Sequence, residues 1–448
     1  MTMPQSQVAH IIRARSQELA ARVAGFVPAP QHGGRVTGFD GMMLTITGLD
    51  AAIGSLVHIA GEGAPLAAEV VGFRGADLLL MALDRGSVAP GAEARLAGRA
   101  DSIAMGSGLL GRVVDGMGHP VDGLGRLLGC GVWPIGGRPL PSLDRAVVTR
   151  AVPTGVRAID ALLTLGRGQR IGLIAGSGVG KSVLMQQLVQ GAEADMMVVA
   201  LIGERGREIA GFVHALSAEA GARTHLVAVP ADHAAPLRVR GAMRALAVAE
   251  AMRREGRHVL LLLDSLTRVA HAQREVGLAV GEPAGQRGYP ASALALIARL
   301  VERAGNDAAS GGAITAIFTV LADGDDVVSD PVVDAARGVL DGHIVLSRAI
   351  AGRGRFPAID LAASISRTMA DCVPASHLAA AAAFRRDAAL IDANRDLVTM
   401  GAYAPGHDLA LDRAIGCAAA MDAFMAQPRD SREPFGASIA TLESGWAT

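Results

Sequence analysis

The sequence predicts an α/β protein, a largely parallel sheet covered on both faces, with a small closed β domain ahead of it and a helical segment behind it. Three observations carry that expectation. Between about residues 151 and 370, short apolar runs alternate with helix-length stretches, the pattern of a parallel sheet whose crossovers are helices. Between about 25 and 100, short alternating runs are broken by glycine roughly every ten residues, which suits strands and tight turns. From about 371 onward the chain turns alanine-rich with helical spacing.

Residues 1–24 read as an amphipathic arm, with Val8, Ile11, Ile12, Leu19 and Val23 near one face and Arg13, Arg15 and Glu18 elsewhere. Such an arm either packs on its own domain or binds a partner. In 25–100, Arg35–Thr37, Met43–Thr47, Leu56–Ile59, Glu69–Val71 and Leu78–Met81 suit the strands of a β-barrel. Residues 101–150, with GRVVDGMGHPVDG and WPIGGRPLP, read as a connector that wraps rather than a domain, and the unit 101–370 joins it to the α/β core. Core strands are expected at Arg170–Ile174, Met196–Ile202, His225–Val229, Val259–Leu263, Ala313–Val320 and His343–Ser347. Residues 371–448 are expected to be helical and to end in a polar tail containing Pro428 and Pro434.

Composition narrows the function. The 448 residues carry 42 basic and 43 acidic side chains, a net charge of −1, and only 3 % aromatics. That balance lacks the basic footprint of a nucleic-acid-coating protein, so no nucleic-acid partner is expected. The longest alanine-rich apolar run, Leu378 to Phe384, falls far short of the ~20 residues that cross a bilayer. The first twenty residues show no signal-peptide pattern. Cys130, Cys372 and Cys417 stand far apart, which fits a reducing cytoplasm rather than a disulfide scaffold or zinc ribbon.

Of the 42 basic residues, Lys181 is the one lysine. A compact ammonium enters a tight phosphate cradle that a planar guanidinium cannot. Lys181 stands in Ala175-Gly176-Ser177-Gly178-Val179-Gly180-Lys181-Ser182, after an apolar strand and before a helical stretch. There glycine amides close around phosphates at a helix N-terminus, the lysine reaches the β and γ oxygens, and Ser182 offers a hydroxyl to Mg²⁺. Ala175 replaces the usual first glycine, and the glycines do not fall as GxGxxG, which disfavours a dinucleotide fold.

Two further carboxylates end apolar runs. Asp264 closes Val259–Leu263 and either supports the Mg²⁺ shell or is a turn residue. Glu204, in Gly203-Glu204-Arg205-Gly206-Arg207-Glu208, either polarises a water for in-line attack or serves as an acid favoured at a helix N-terminus.

With these motifs in place, the chain resembles the hexameric ATPase family of flagellar and type III protein export, relatives of the F-type ATP synthase catalytic subunit. The resemblance spans roughly 25–425 and rests on GRVVDGMGHPVDG, TGVRAIDALLTLGRGQRIGLIAGSGVGKS, IGERGRE, VLLLLDSLTR, GEPAGQRGYPAS, LDGHIVLSR, GRFPAID and SISR. TGVRAID with GRGQRIG, GRGRFPAID and the late GAYAPGHDLALDRAI look most like the flagellar branch, while Ala284 and Ala291 stand where the family often has proline.

The resemblance implies a RecA-like P-loop core between an N-terminal β-barrel and a C-terminal helical domain, six copies in a ring, and ATP with Mg²⁺ at inter-subunit sites. It implies that Glu204 is the catalytic glutamate and that Arg367 reaches a neighbour's γ-phosphate, a surface ion pair being the plainer reading of that arginine. Arg205 and Arg268 match phosphate-contacting arginines, with Arg207 a nearby competitor. Phe356 matches the aromatic that stacks on adenine, the alternative being a core role. His343 and Asp341 read as packing residues, and Asp325 and Asp326 as solvated turn acids. Implied partners are stalk and regulatory proteins of the export apparatus and export substrates with their chaperones, the chain sitting peripherally on the inner face of the plasma membrane. The nearest alternative is an injectisome ATPase. A Rho-type RNA translocase is opposed by neutral charge and scarce aromatics.

Overall fold

The computed structural model describes residues 33–40, 43–84, 86–98, 101–127, 131–321 and 330–446. The arm over 1–24 and the acids Asp325 and Asp326 lie outside them. Two compact units divide the chain, one reaching Leu80 and including Gly86–Gly98, the other holding Met81–Arg85 and everything from Arg99.

The first unit is built on a closed barrel of β1 (Gly34–Phe39), β2 (Met43–Thr47), β3 (Leu56–Ile59), β4 (Leu66–Arg74), β5 (Asp77–Ala82) and β6 (Glu93–Gly98), ordered β1-β2-β5-β4-β3-β6. Burial alternates along β1 and β4, so Val36, Leu66, Ala68 and Val70 face inward. The closing strand β6 escaped the sequence reading because its inward residue is the small Ala94, flanked by an outward Glu93–Arg95 pair at 2.9 Å.

The second unit centres on a ten-stranded sheet. Its strands are β8 (Val113–Val114), β10 (Arg145–Ala146), β11 (Arg170–Ala175), β12 (Met196–Ile202), β13 (Thr224–Val229), β14 (His258–Asp264), β15 (Gly305–Asp307), β16 (Ala313–Leu321), β17 (Gly342–Leu346) and β18 (Ile359–Ser366). The main order is β18-β17-β11-β16-β14-β12-β13-β8, parallel from β17 to β8, with β18 antiparallel at one edge. Every residue of β12, β13 and β14 is buried, as a sheet covered on both faces requires. The stretch 101–150 does more than wrap. It adds β8 to the sheet edge and forms a two-stranded ribbon from β7 (Ser102–Met105) and β9 (Gly131–Pro134).

The end of the chain corrects an expectation. Beyond Pro434 lies a helix, Phe435–Trp446, rather than a polar tail. Leu442 is fully buried, and the Trp446 ring lies 4.6 Å from that of Phe384 and 6.2 Å from that of Phe424. Trp446 Nε1 donates to buried Asp387 at 3.2 Å. The apolar positions are seven and four residues apart, one helical face, but small residues between them dilute the signal.

Candidate active site

All parallel strands end at one edge of the sheet, and there the sequence places its chemistry. After β11 the loop Gly176–Gly180 turns into helix Lys181–Gly191. Gly180, at φ +89°, makes that turn in left-handed backbone, and the first helical amides point into the loop without intrahelical partners. Because β12 pairs with β14, with Leu201 opposite Asp264, the carboxylates of Glu204 and Asp264 emerge side by side.

Lys181 joins them. Its Nζ donates to Asp264 Oδ1 at 2.5 Å and to Glu204 Oε1 at 3.3 Å. Thr319, on the neighbouring β16, donates its hydroxyl to Asp264 Oδ1 at 2.5 Å. Burial pushes the Asp264 carboxyl above its ordinary range; the Lys181 charge draws it down, Glu204 adds to the rise, and the bonds from Lys181 and Thr319 oppose it. Thr319 carried no sequence signal, since threonine is ordinary in a buried strand.

Arg268 approaches from helix Leu266–Ala279. Its stem crosses Gly203, where an added Cβ would lie 2.8 Å from Arg268 Cβ, so only glycine allows the approach. Arg268 Nε is buried and has no hydrogen-bond partner among the described residues. Arg205 is instead 77 % exposed and pairs loosely with Glu208 at 3.9 Å, and Arg207 is also exposed.

Phe356 lies in the segment joining β17 to β18, at the same edge as the phosphate loop. A Cβ on Gly180 would meet its ring at 3.3 Å. The ring is 45 % exposed, so it offers a face rather than filling a core. Its carbonyl accepts from the Gln427 backbone N–H at 2.8 Å.

Arg367 is not brought to this cluster. Strand β18 runs against β17, so Ser366 lies opposite Gly342, the first residue of β17, while Leu346 marks the phosphate-loop end. The exposed Arg367 therefore stands at the opposite sheet edge, roughly 15 Å away at strand spacing.

The cluster suits a nucleotide and a hard cation. Loop amides and one ammonium are donors of the kind phosphates take, and a hydroxyl with a carboxylate are oxygen donors of the kind Mg²⁺ takes. No group of three or more His, Cys, Asp or Glu gathers among the described residues, so such an ion would draw its other ligands from phosphates and water.

Comparison with known proteins supports the nucleotide part of this reading. Residues 155–366 match the nucleotide-binding domain of the ATP synthase alpha/beta family, and 373–444 match the C-terminal domain of the type III secretion ATPase EscN. The chain is 43 % identical over 445 residues to the flagellum-specific ATP synthase of Pseudomonas aeruginosa, covering 97 % of this chain and 98 % of that protein. It belongs to the flagellar and type III secretion ATPase family. The flagellum-specific ATP synthase of Salmonella typhimurium is 45 % identical over 430 residues, covering 93 % of this chain and 94 % of that protein. Assembled EscN of enteropathogenic E. coli superposes with a TM-score of 0.88 at 38 % identity, covering 92 % of this chain and all of that one. As a member of this family the chain is an ATPase with a P-loop α/β core, an N-terminal barrel and C-terminal helices. No helix among the described residues is long and apolar enough to cross a membrane.

Proposed function

We propose that this chain hydrolyses Mg²⁺-bound ATP at sites shared between neighbouring copies of a six-membered ring, and that the cycle energises export of flagellar proteins. One observation carries the shared site. The sheet holds Arg367 a full strand length from its own phosphate-loop edge, which supports a role for its guanidinium at a phosphate held by another copy.

In this reading Lys181 and the amides of Gly176, Ser177, Gly178, Val179 and Gly180 hold the β and γ phosphates, and Arg268 supplies a further N–H. Ser182 and Asp264 would hold Mg²⁺, which when bound neutralises charge on the phosphate oxygens. Glu204, beside Lys181, takes the position of the base that orients and deprotonates the attacking water. Arg367 of the adjacent copy meets charge developing on the transferred phosphoryl group. Arg205 is the weaker candidate for a phosphate contact, standing in solvent against Glu208.

The flagellar reading is supported by TGVRAID, GRGRFPAID and GAYAPGHDLALDRAI together with the near full-length identity to two flagellum-specific ATP synthases. EscN has also been solved with its central stalk EscO, which supports a stalk partner here. Regulatory proteins, chaperoned export substrates and a peripheral place on the cytoplasmic face of the membrane complete the proposal.

Mixing tests the shared site. Glu204→Gln and Arg367→Ala chains should each be nearly inactive alone. Randomly mixed rings should regain activity at about a quarter of their interfaces, where an intact Glu204 meets an intact Arg367. No recovery in a steady-state phosphate-release assay would refute the shared site. If Phe356 stacks on the base, Phe356→Ala should raise KM for ATP several-fold, more than it lowers kcat. The reverse pattern would point to packing damage.

A further inference from the structure

Arg367 emerges from a turn that is itself clamped from behind. Its backbone N–H donates to Asp341 O at 3.0 Å, and its Nη1 donates to Leu340 O at 3.3 Å. Two consecutive carbonyls thus hold both the root and the head of the arginine. The Asp341 carboxylate in turn accepts from Arg170, at 2.9 Å from the backbone N–H, 3.0 Å from Nε and 3.0 Å from Nη2. The Asp341 N–H returns a bond to Arg170 O at 2.8 Å. Gln169 Nε2 donates to Asp341 O at 3.2 Å and to Ser366 Oγ at 3.0 Å, and that hydroxyl donates to Thr164 O at 2.8 Å.

We infer that Asp341 and Arg170 are positioning residues for Arg367, fixing the turn that aims its guanidinium at the next copy. This rests on the shared-site reading. The two-point geometry matters because a forked guanidinium on a carboxylate fixes orientation as well as distance. The pair is not needed for the strand ladder, since β11 and β17 are in register from Gly172 and His343 onward, past the clamp. Nor is it a core pair: the side chains of Arg170 and Asp341 are 19 % and 25 % exposed. Strand β11 therefore opens at one end into the phosphate loop of its own site and at the other anchors the arginine for a neighbour's site. A shift of about 1 Å in such a group can cost about 100-fold in rate.

The experiment uses full-length chains assembled with ATP. Asp341→Ala should lower kcat about 100-fold with KM for ATP changed less than about twofold, with Asp341→Asn between it and wild type. Mixing then separates aim from fold. Asp341→Ala keeps its own phosphate loop, so it should recover activity with Glu204→Gln, whose arginine and clamp are intact. It should not recover with Arg367→Ala, because neither copy then presents an aimed arginine. Near-wild-type kcat in Asp341→Ala, recovery with Arg367→Ala, or recovery with neither partner would each overturn the inference. Failure of the Glu204→Gln and Arg367→Ala pair is a separate result, since it involves no change at Asp341; it would overturn the shared site and this inference with it.

Discussion

Arg367→Ala should lower kcat by about 10³-fold or more while leaving nucleotide affinity and thermal stability nearly unchanged. The size follows from what an arginine supplied to a transferring phosphoryl group is worth, about 10³–10⁵ in rate. The selectivity follows from placement. Arg367 is exposed and stands at the far sheet edge from its own phosphate loop, so its removal deletes nothing from the Lys181 cluster. It gives up only the bond to Leu340 O and leaves the Asp341–Arg170 clamp standing. ATP turnover and calorimetric titration of one preparation would check both halves. A loss of kcat below about tenfold, or a parallel loss of affinity, would remove Arg367 from the proposed role.

Lys181→Ala should nearly abolish nucleotide binding and also destabilise the fold. The first effect comes from removing the one ammonium in the phosphate loop. The second comes from what Lys181 holds: its side chain and that of Asp264 are 11 % and 5 % exposed, and Glu204 lies beside them. Deleting one partner of a buried pair costs about 3–5 kcal/mol, because the remaining charge is left uncompensated.

The cost should depend on pH, and its sign can be worked out. Without Lys181 the two influences that draw the Asp264 carboxyl down most directly are gone, leaving burial and Glu204 to raise it further above its ordinary 3.8. A carboxyl whose folded pKa exceeds its unfolded one binds more protons folded than unfolded, so stability falls as pH rises between the two values. The variant should therefore unfold at a lower temperature than wild type by a margin that widens as pH rises from the ordinary carboxyl range toward neutrality. A constant gap across that range, or ATP affinity near wild type, would count against the assigned role of Lys181.

The residues differ in how openly the sequence displayed them. Lys181 and Ser182 sit in a contiguous motif, and Glu204 and Asp264 each end an apolar run, so local pattern alone put them at strand ends. That the two carboxylates share one lysine depends on β12 lying beside β14, a pairing no local window contains. Thr319 carried no sign at all, and Arg268 was marked only by the family resemblance. One looks like any strand threonine, and the other matters because Gly203 lets its stem pass. Asp341 read as a packing residue, since its hold on Arg367 runs through a backbone carbonyl and leaves no mark on residue type.

The fold shows the same division. Alternating and continuous apolar runs determined the barrel strands β1 to β5 and the buried parallel strands, because side-chain period and burial are properties of a short segment. The closure by β6 and the packing of Phe435–Trp446 against Phe384 rested on partners distant in sequence. The sequence by itself determined which chemistry the chain carries: a phosphate loop, its one lysine, and two acids at strand ends. Only the tertiary structure decided where that chemistry is divided, because the direction of β18 against β17, and nothing in the residues of Ala363-Ser364-Ile365-Ser366-Arg367 themselves, sends Arg367 to the edge away from its own phosphate loop.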